Sequence, residues 1–154
     1  MYESGIRTRW IGATITLLFA LAACQSSTHE DEAAIAAVMK QTWDKLDAPL
    51  AVGPIALDGD AAVADWTQRS QGGRALLRRR DSRWTVVLCA GDGIKSAAAL
   101  QSAGLSPAQA QHIAAQLTEK EKAVPTERLA AMMRFKGVVR MDSPADATTH
   151  PIPE

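Results

Sequence analysis

The sulfur and imidazole donors of this chain that could hold a metal ion are few: two cysteines, three histidines and five methionines. His29, His112 and His150 are far apart in sequence, and no His-Glu-x-x-His or Cys-x-x-Cys spacing occurs. Each histidine therefore reads as a solvated side chain rather than a zinc ligand. Soft sulfur donors select Cu(I). Met39 and one of Met132 and Met133 fall on helical apolar stripes and read as core. Met141 lies outside the clear helices and Cys89 on a strand, so these two are the candidate metal ligands. They can meet only if the C-terminal segment returns to the strand that carries Cys89. Nothing in the sequence requires that return. If the chain handles Cu(I), the expectation is no preformed cage and at most weak binding.

Other chemistry finds less support. There is no Gly-x-Ser-x-Gly. Among Asp58, Asp60 and Asp65, the first two are explained by a turn, and a calcium loop needs more ligands and a spaced glutamate. Gly91-Asp92-Gly93-Ile94-Lys95-Ser96 follows a strand and opens a helix, and helix N-termini collect anions. The segment is too short for a phosphate-binding loop and reads as a strand-to-helix turn. A helix N-terminus there would lower the pKa of Cys89. The preferred reading is that Cys89 is a small buried hydrophobe. No catalytic or cofactor-binding residue is assigned, and the expectation is a non-enzymatic protein.

Cys24 has a different context. Arg7 and Arg9 form a positive N-terminal region, Ile11 to Ala23 is an apolar run too short to span a bilayer comfortably, and Leu21-Ala22-Ala23 precede the cysteine. This resembles a bacterial lipobox, which implies cleavage before Cys24 and lipidation of its thiol. Gln25 in place of aspartate implies the outer membrane. Residues 1–23 are thus expected to be a lipoprotein signal peptide, 24–30 a tether, 31–141 one domain and 142–154 a disordered tail. With Cys24 acylated, Cys89 is left without a disulfide partner. Loss of Glu3, Arg7 and Arg9 leaves the chain near neutral, with no basic field for nucleic acid.

The elements that must position these residues are legible from periodicity and turn chemistry. Ser27 and Glu30 suggest a capping box. The stripe Ile35, Val38, Met39, Thr42 and Leu46 predicts a helix to about Leu46. Leu50–Leu57 predicts an edge strand because Pro54 cannot donate to a ladder. Ala61–Arg69 follows Asp58-Gly59, and two further strands, Arg74–Arg80 and Arg83–Ala90, meet at Asp81-Ser82. Pairing Arg80 with Arg83 sets Arg79 opposite Trp84, Leu77 opposite Val86 and Ala75 opposite Leu88. Pairing Arg69 with Arg74 sets Trp66 opposite Leu77. Trp66, Leu77 and Val86 then share one buried face. Asp92 is expected to cap a helix over Lys95–Ala103, Ser106-Pro107 to start a second and Pro125 a third. The expected class is α+β: an N-terminal helix, a four-stranded antiparallel meander and two to three C-terminal helices.

The Pro54 strand, Ala64-Asp65-Trp66, Gly73-Arg74-Ala75-Leu76-Leu77-Arg78, Trp84 through Asp92 and Leu100…Gly104-Leu105-Ser106 resemble the copper uptake system-associated proteins, small exported proteobacterial proteins. The resemblance implies an accessory role in envelope copper acquisition, with a protein partner in copper import and a membrane contact through the lipid. Copper is the one cofactor it implies. It brings no ligand or catalytic set. The alternative is a periplasmic small-ligand-binding domain, NTF2-like or cystatin-like, with a pocket between a curved sheet and a crossing helix.

Overall fold

The computed structural model describes residues 18–141, with side chains from residue 27 onward. The n-region of the expected signal and the 142–154 tail lie outside the described residues. Helix α1 spans Leu18–Trp43, four long strands follow, β1 Ala51–Asp58, β2 Ala61–Gln68, β3 Gln71–Arg80 and β4 Arg83–Ala90, then α2 Ala97–Ser102, α3 Pro107–Glu121, α4 Thr126–Met133 and β5 Val138–Arg140. The strands form one antiparallel sheet in chain order. The sheet has five strands, one more than the pattern predicts. Gly137-Val138-Val139, read from the sequence as a short apolar end, is the fifth. Three residues are too few to show an alternation, and only pairing with β4 makes them a strand.

The chain divides into two units, the second beginning at Glu32. The described part of the first, residues 18–31, is helical and belongs to α1. The helix start expected at Ser27 is therefore not formed, and residues 24–30, expected as a tether, lie within α1. At its other end α1 stops at Trp43, and Leu46 is fully exposed instead of completing the stripe.

Both faces of the sheet are buried. On one, Ile35 and Met39 of α1 pack with Leu50, Ile55, Ala62, Ala64, Ala75, Leu77, Trp84, Val86 and Cys89. On the other, Val63, Leu76, Val87 and Leu88 meet Leu100, Leu105, Ile113 and Leu117 from the α2–α3 segment. Helix α3 begins as its sequence predicts, with Ser106 accepting from the Gln109 N–H and Pro107 in the first turn. Helix α2 starts later than expected. Ser96 is its cap, Asp92 opens a separate 3-10 turn, Asp92–Ile94, and the Asp92 carboxylate is engaged elsewhere.

The hairpin registers correct three expected pairings, Ala75–Leu88, Arg69–Arg74 and Trp66–Leu77. Arg80–Arg83, Arg79–Trp84 and Leu77–Val86 pair as predicted, and Asp81 and Ser82 both take left-handed φ, a tight two-residue turn. Arg79 lies over the Trp84 ring, 5.2 Å from its centroid. Beyond Val86 a bulge intervenes, so Ala75 faces Cys89 rather than Leu88. One extra residue reverses the alternation. Leu88 joins Val87 on the α2–α3 face, and Cys89 moves to the α1 face. Between β2 and β3 the turn closes at Arg69-Ser70, so Trp66 faces Gly73 and Leu77 faces Ala62. This differs from the expected register by an even step, so Trp66, Leu77 and Val86 still share one face. A Cβ at Gly73 would sit 3.0 Å from Trp66 Cζ2. The Trp66 ring lies where a side chain at position 73 would be.

Candidate functional site

The fifth strand decides the relation between the two sulfur residues named from the sequence. Cys89 pairs with Val139, and the Met141 N–H donates to Val87 O at 2.8 Å. The C-terminal segment thus returns along β4. Met141, half-buried, packs on the same cluster that holds Cys89 and Met39. Cys89 is 7 % exposed, and burial pushes its thiol up to about 12. At neutral pH it is a protonated, apolar side chain, so the activating helix N-terminus does not operate. Among the described residues, no three or more His, Cys, Asp and Glu side chains are grouped to hold a metal ion. Cys24 lies within α1, and among the described residues no helix is long and apolar enough to cross a membrane.

The opposite face carries a polar cluster that the sequence did not single out. Arg74 is 1 % exposed and sits among three carboxylates. Its Nε donates to Glu121 Oε1 at 2.8 Å and its Nη1 to Asp92 Oδ1 at 2.8 Å. Lys95 Nζ donates to Glu121 Oε2 at 2.6 Å. Asp65 is fully buried directly across the ladder from Arg74, yet neither of its oxygens has a hydrogen-bond donor. Burial raises the Asp65 pKa to about 7, against the opposing pull of Arg74, with Glu121 adding to the rise. The cluster joins β2 and β3 to the end of α3 and to the turn after β4.

A signal for this cluster existed. Asp65 stands two residues after Val63 on the inward face of β2. Glu121 stands four residues after Leu117, continuing the apolar stripe of α3. Acids at core positions call for partners. The Gly91-Asp92-Gly93 segment also acquires a structural explanation. A Cβ at Gly91 would lie 2.5 Å from Phe135 O, so the glycine admits the chain after α4, and Asp92 serves Arg74. His112 sits 3.2 Å from Asp58 on the surface, His29 is exposed, and His150 lies outside the described residues.

No family model, curated protein or solved structure matches this chain.

Proposed function

We propose that this chain is a lipid-anchored, non-enzymatic accessory protein on the periplasmic side of a bacterial envelope, associated with copper uptake. It would work beside a protein partner in copper import and would hold Cu(I) only weakly. The observation that supports the copper reading is the return of β5 along β4, which brings Met141 onto the apolar face that holds Cys89 and Met39. A thiol and thioethers form a donor set suited to Cu(I). Weakness follows from the same packing. Cu(I) must displace a proton from a buried thiol and open an apolar cluster to reach it.

The test is an anaerobic Cu(I) titration of the full chain against a competing chelator. Weak uptake is expected, reduced more by Met141→Leu than by Met39→Leu, because Met39 is 1 % exposed and Met141 is half-buried. Tight binding that survives loss of both Cys89 and Met141 would refute the site. No binding at all would assign the copper to the partner and leave this chain as an interaction module.

A further inference from the structure

An open cleft of about 350 Å³ lies between the β2–β3 turn and α4, and three arginines line it, Arg69, Arg128 and Arg134. What holds each guanidinium matters more than their number. Arg128 donates from Nε to Thr67 Oγ1 at 3.2 Å and from Nη2 to Gly53 O at 2.8 Å. Arg134 donates from Nη2 to Ser70 O at 2.7 Å. These hydrogen-bond partners are neutral, so they orient the two cations and bring no negative charge of their own. Among the described residues, Arg69 is the one of the three in an ion pair, with Asp47, and that pair is exposed; Arg128 also acts electrostatically on the buried Asp65. Glu127 is the one acid in the lining.

A guanidinium carries five N–H donors, so each of the three keeps donors uncommitted after these bonds. The start of α4 adds to them. Pro125 caps this helix with no side-chain hydrogen bond, and Pro125, Glu127 and Arg128 all line the cleft. The positive end of its dipole therefore lies beside the cleft, although the Arg128 and Leu129 N–H groups already donate to Pro125 O.

We propose that this cleft is a binding site for a phosphate group. A tetrahedral oxyanion can accept from several guanidinium groups at once, whereas Thr67 and Ser70 would steer an approaching group without adding charge. The group could come from free phosphate or from a phosphomonoester lipid headgroup, since both present the same oxygens.

The experiment is a titration of the full chain in detergent with inorganic phosphate at constant ionic strength, followed by amide shifts of Thr67–Ser70 and Thr126–Arg128. Saturable shifts at both segments are expected. Arg134→Gln, a change at an exposed side chain, should weaken binding by roughly tenfold, the factor carried by one charge-assisted hydrogen bond. Glu127→Gln should tighten it by about twofold to fivefold, as loss of one exposed like-signed neighbour allows. The amide spectrum of each variant reports its fold in the same measurement. Competition with soluble dihexanoyl phosphatidic acid separates the sources. Tighter binding of the lipid assigns a headgroup, and equal affinity assigns the phosphate group alone. Absence of saturable shifts, or binding that neither substitution changes, would overturn the proposal.

Discussion

Arg74 and Asp65 face each other directly across β3 and β2, yet their closest approach, Nε to Oδ1, is 3.5 Å, and it is Glu121 that receives the Nε hydrogen bond. The cross-strand partner is thus a charge neighbour without a bond. The guanidinium is drawn to a carboxylate delivered by a helix 47 residues further along the chain. Asp65 bears the cost of this arrangement, because it is fully buried with neither oxygen satisfied.

Stability should fall as pH rises through the range that Asp65 spans. Its pKa is raised from 3.8 to about 7 on folding, so between those values the folded state binds more protons than the unfolded state. The slope of unfolding free energy with pH is then negative, and the Asp65 contribution is lost by neutral pH. Its size is on the order of a few kcal/mol. Asp65→Asn should flatten the fall between about pH 4 and 7 in urea unfolding followed across that range. An unchanged slope would mean that Asp65 is ionised with a nearly normal pKa.

Arg74→Leu should destabilise the fold by ~3–5 kcal/mol, since it leaves buried carboxylates without their main cation. It should also raise the Asp65 pKa further, whereas Glu121→Gln should lower it, because Arg74 and Glu121 act on Asp65 with opposite sign. Carbon-13 titration of the Asp65 carboxyl reads both shifts. Shifts of the same sign in the two variants would contradict this electrostatic account.

Leu77→Ala should cost ~2–5 kcal/mol in urea unfolding, because Leu77 is fully buried in the layer between α1 and the sheet. Leu46→Ala, at a fully exposed position that the helical stripe would have buried, should stay within ~0.5 kcal/mol of wild type. Comparable losses at both positions would contradict the end of α1 at Trp43.

Cys24→Ser should release the protein from membranes or block its processing, as expected if the thiol carries the lipid. Fractionation of a producing bacterium gives the answer. A processed mutant that stays with membranes like wild type would end the lipoprotein reading.

Short-range chemistry was legible in the sequence. Ser106-Pro107 starts α3, Pro125 starts α4, Pro54 lies on an edge strand, and the Arg79–Trp84 and Leu77–Val86 pairs follow from one turn. The shared face of Trp66, Leu77 and Val86 survived an incorrect turn register, because only the parity of the shift matters to which side a strand residue points.

Sequence alone therefore determined the α+β class, the consecutive antiparallel hairpins and the starts of α3 and α4, because these depend on residues within a turn or two of one another. Tertiary structure decided the rest. In the apolar run Val86-Val87-Leu88-Cys89, any residue can face either layer, and only packing against α3 on one side and α1 on the other set the bulge that turned Cys89 toward α1. Strand β5 exists because β4 offered an edge, and with it came the approach of Met141 to the Cys89 face. In the sequence Asp92 read as a helix cap and Arg74 and Lys95 as ordinary charges, and only the core positions of Asp65 and Glu121 hinted at the cluster. Burial makes an unpaired charge costly, so the fold that enclosed them also fixed which would pair and left Asp65 with no hydrogen-bond donor.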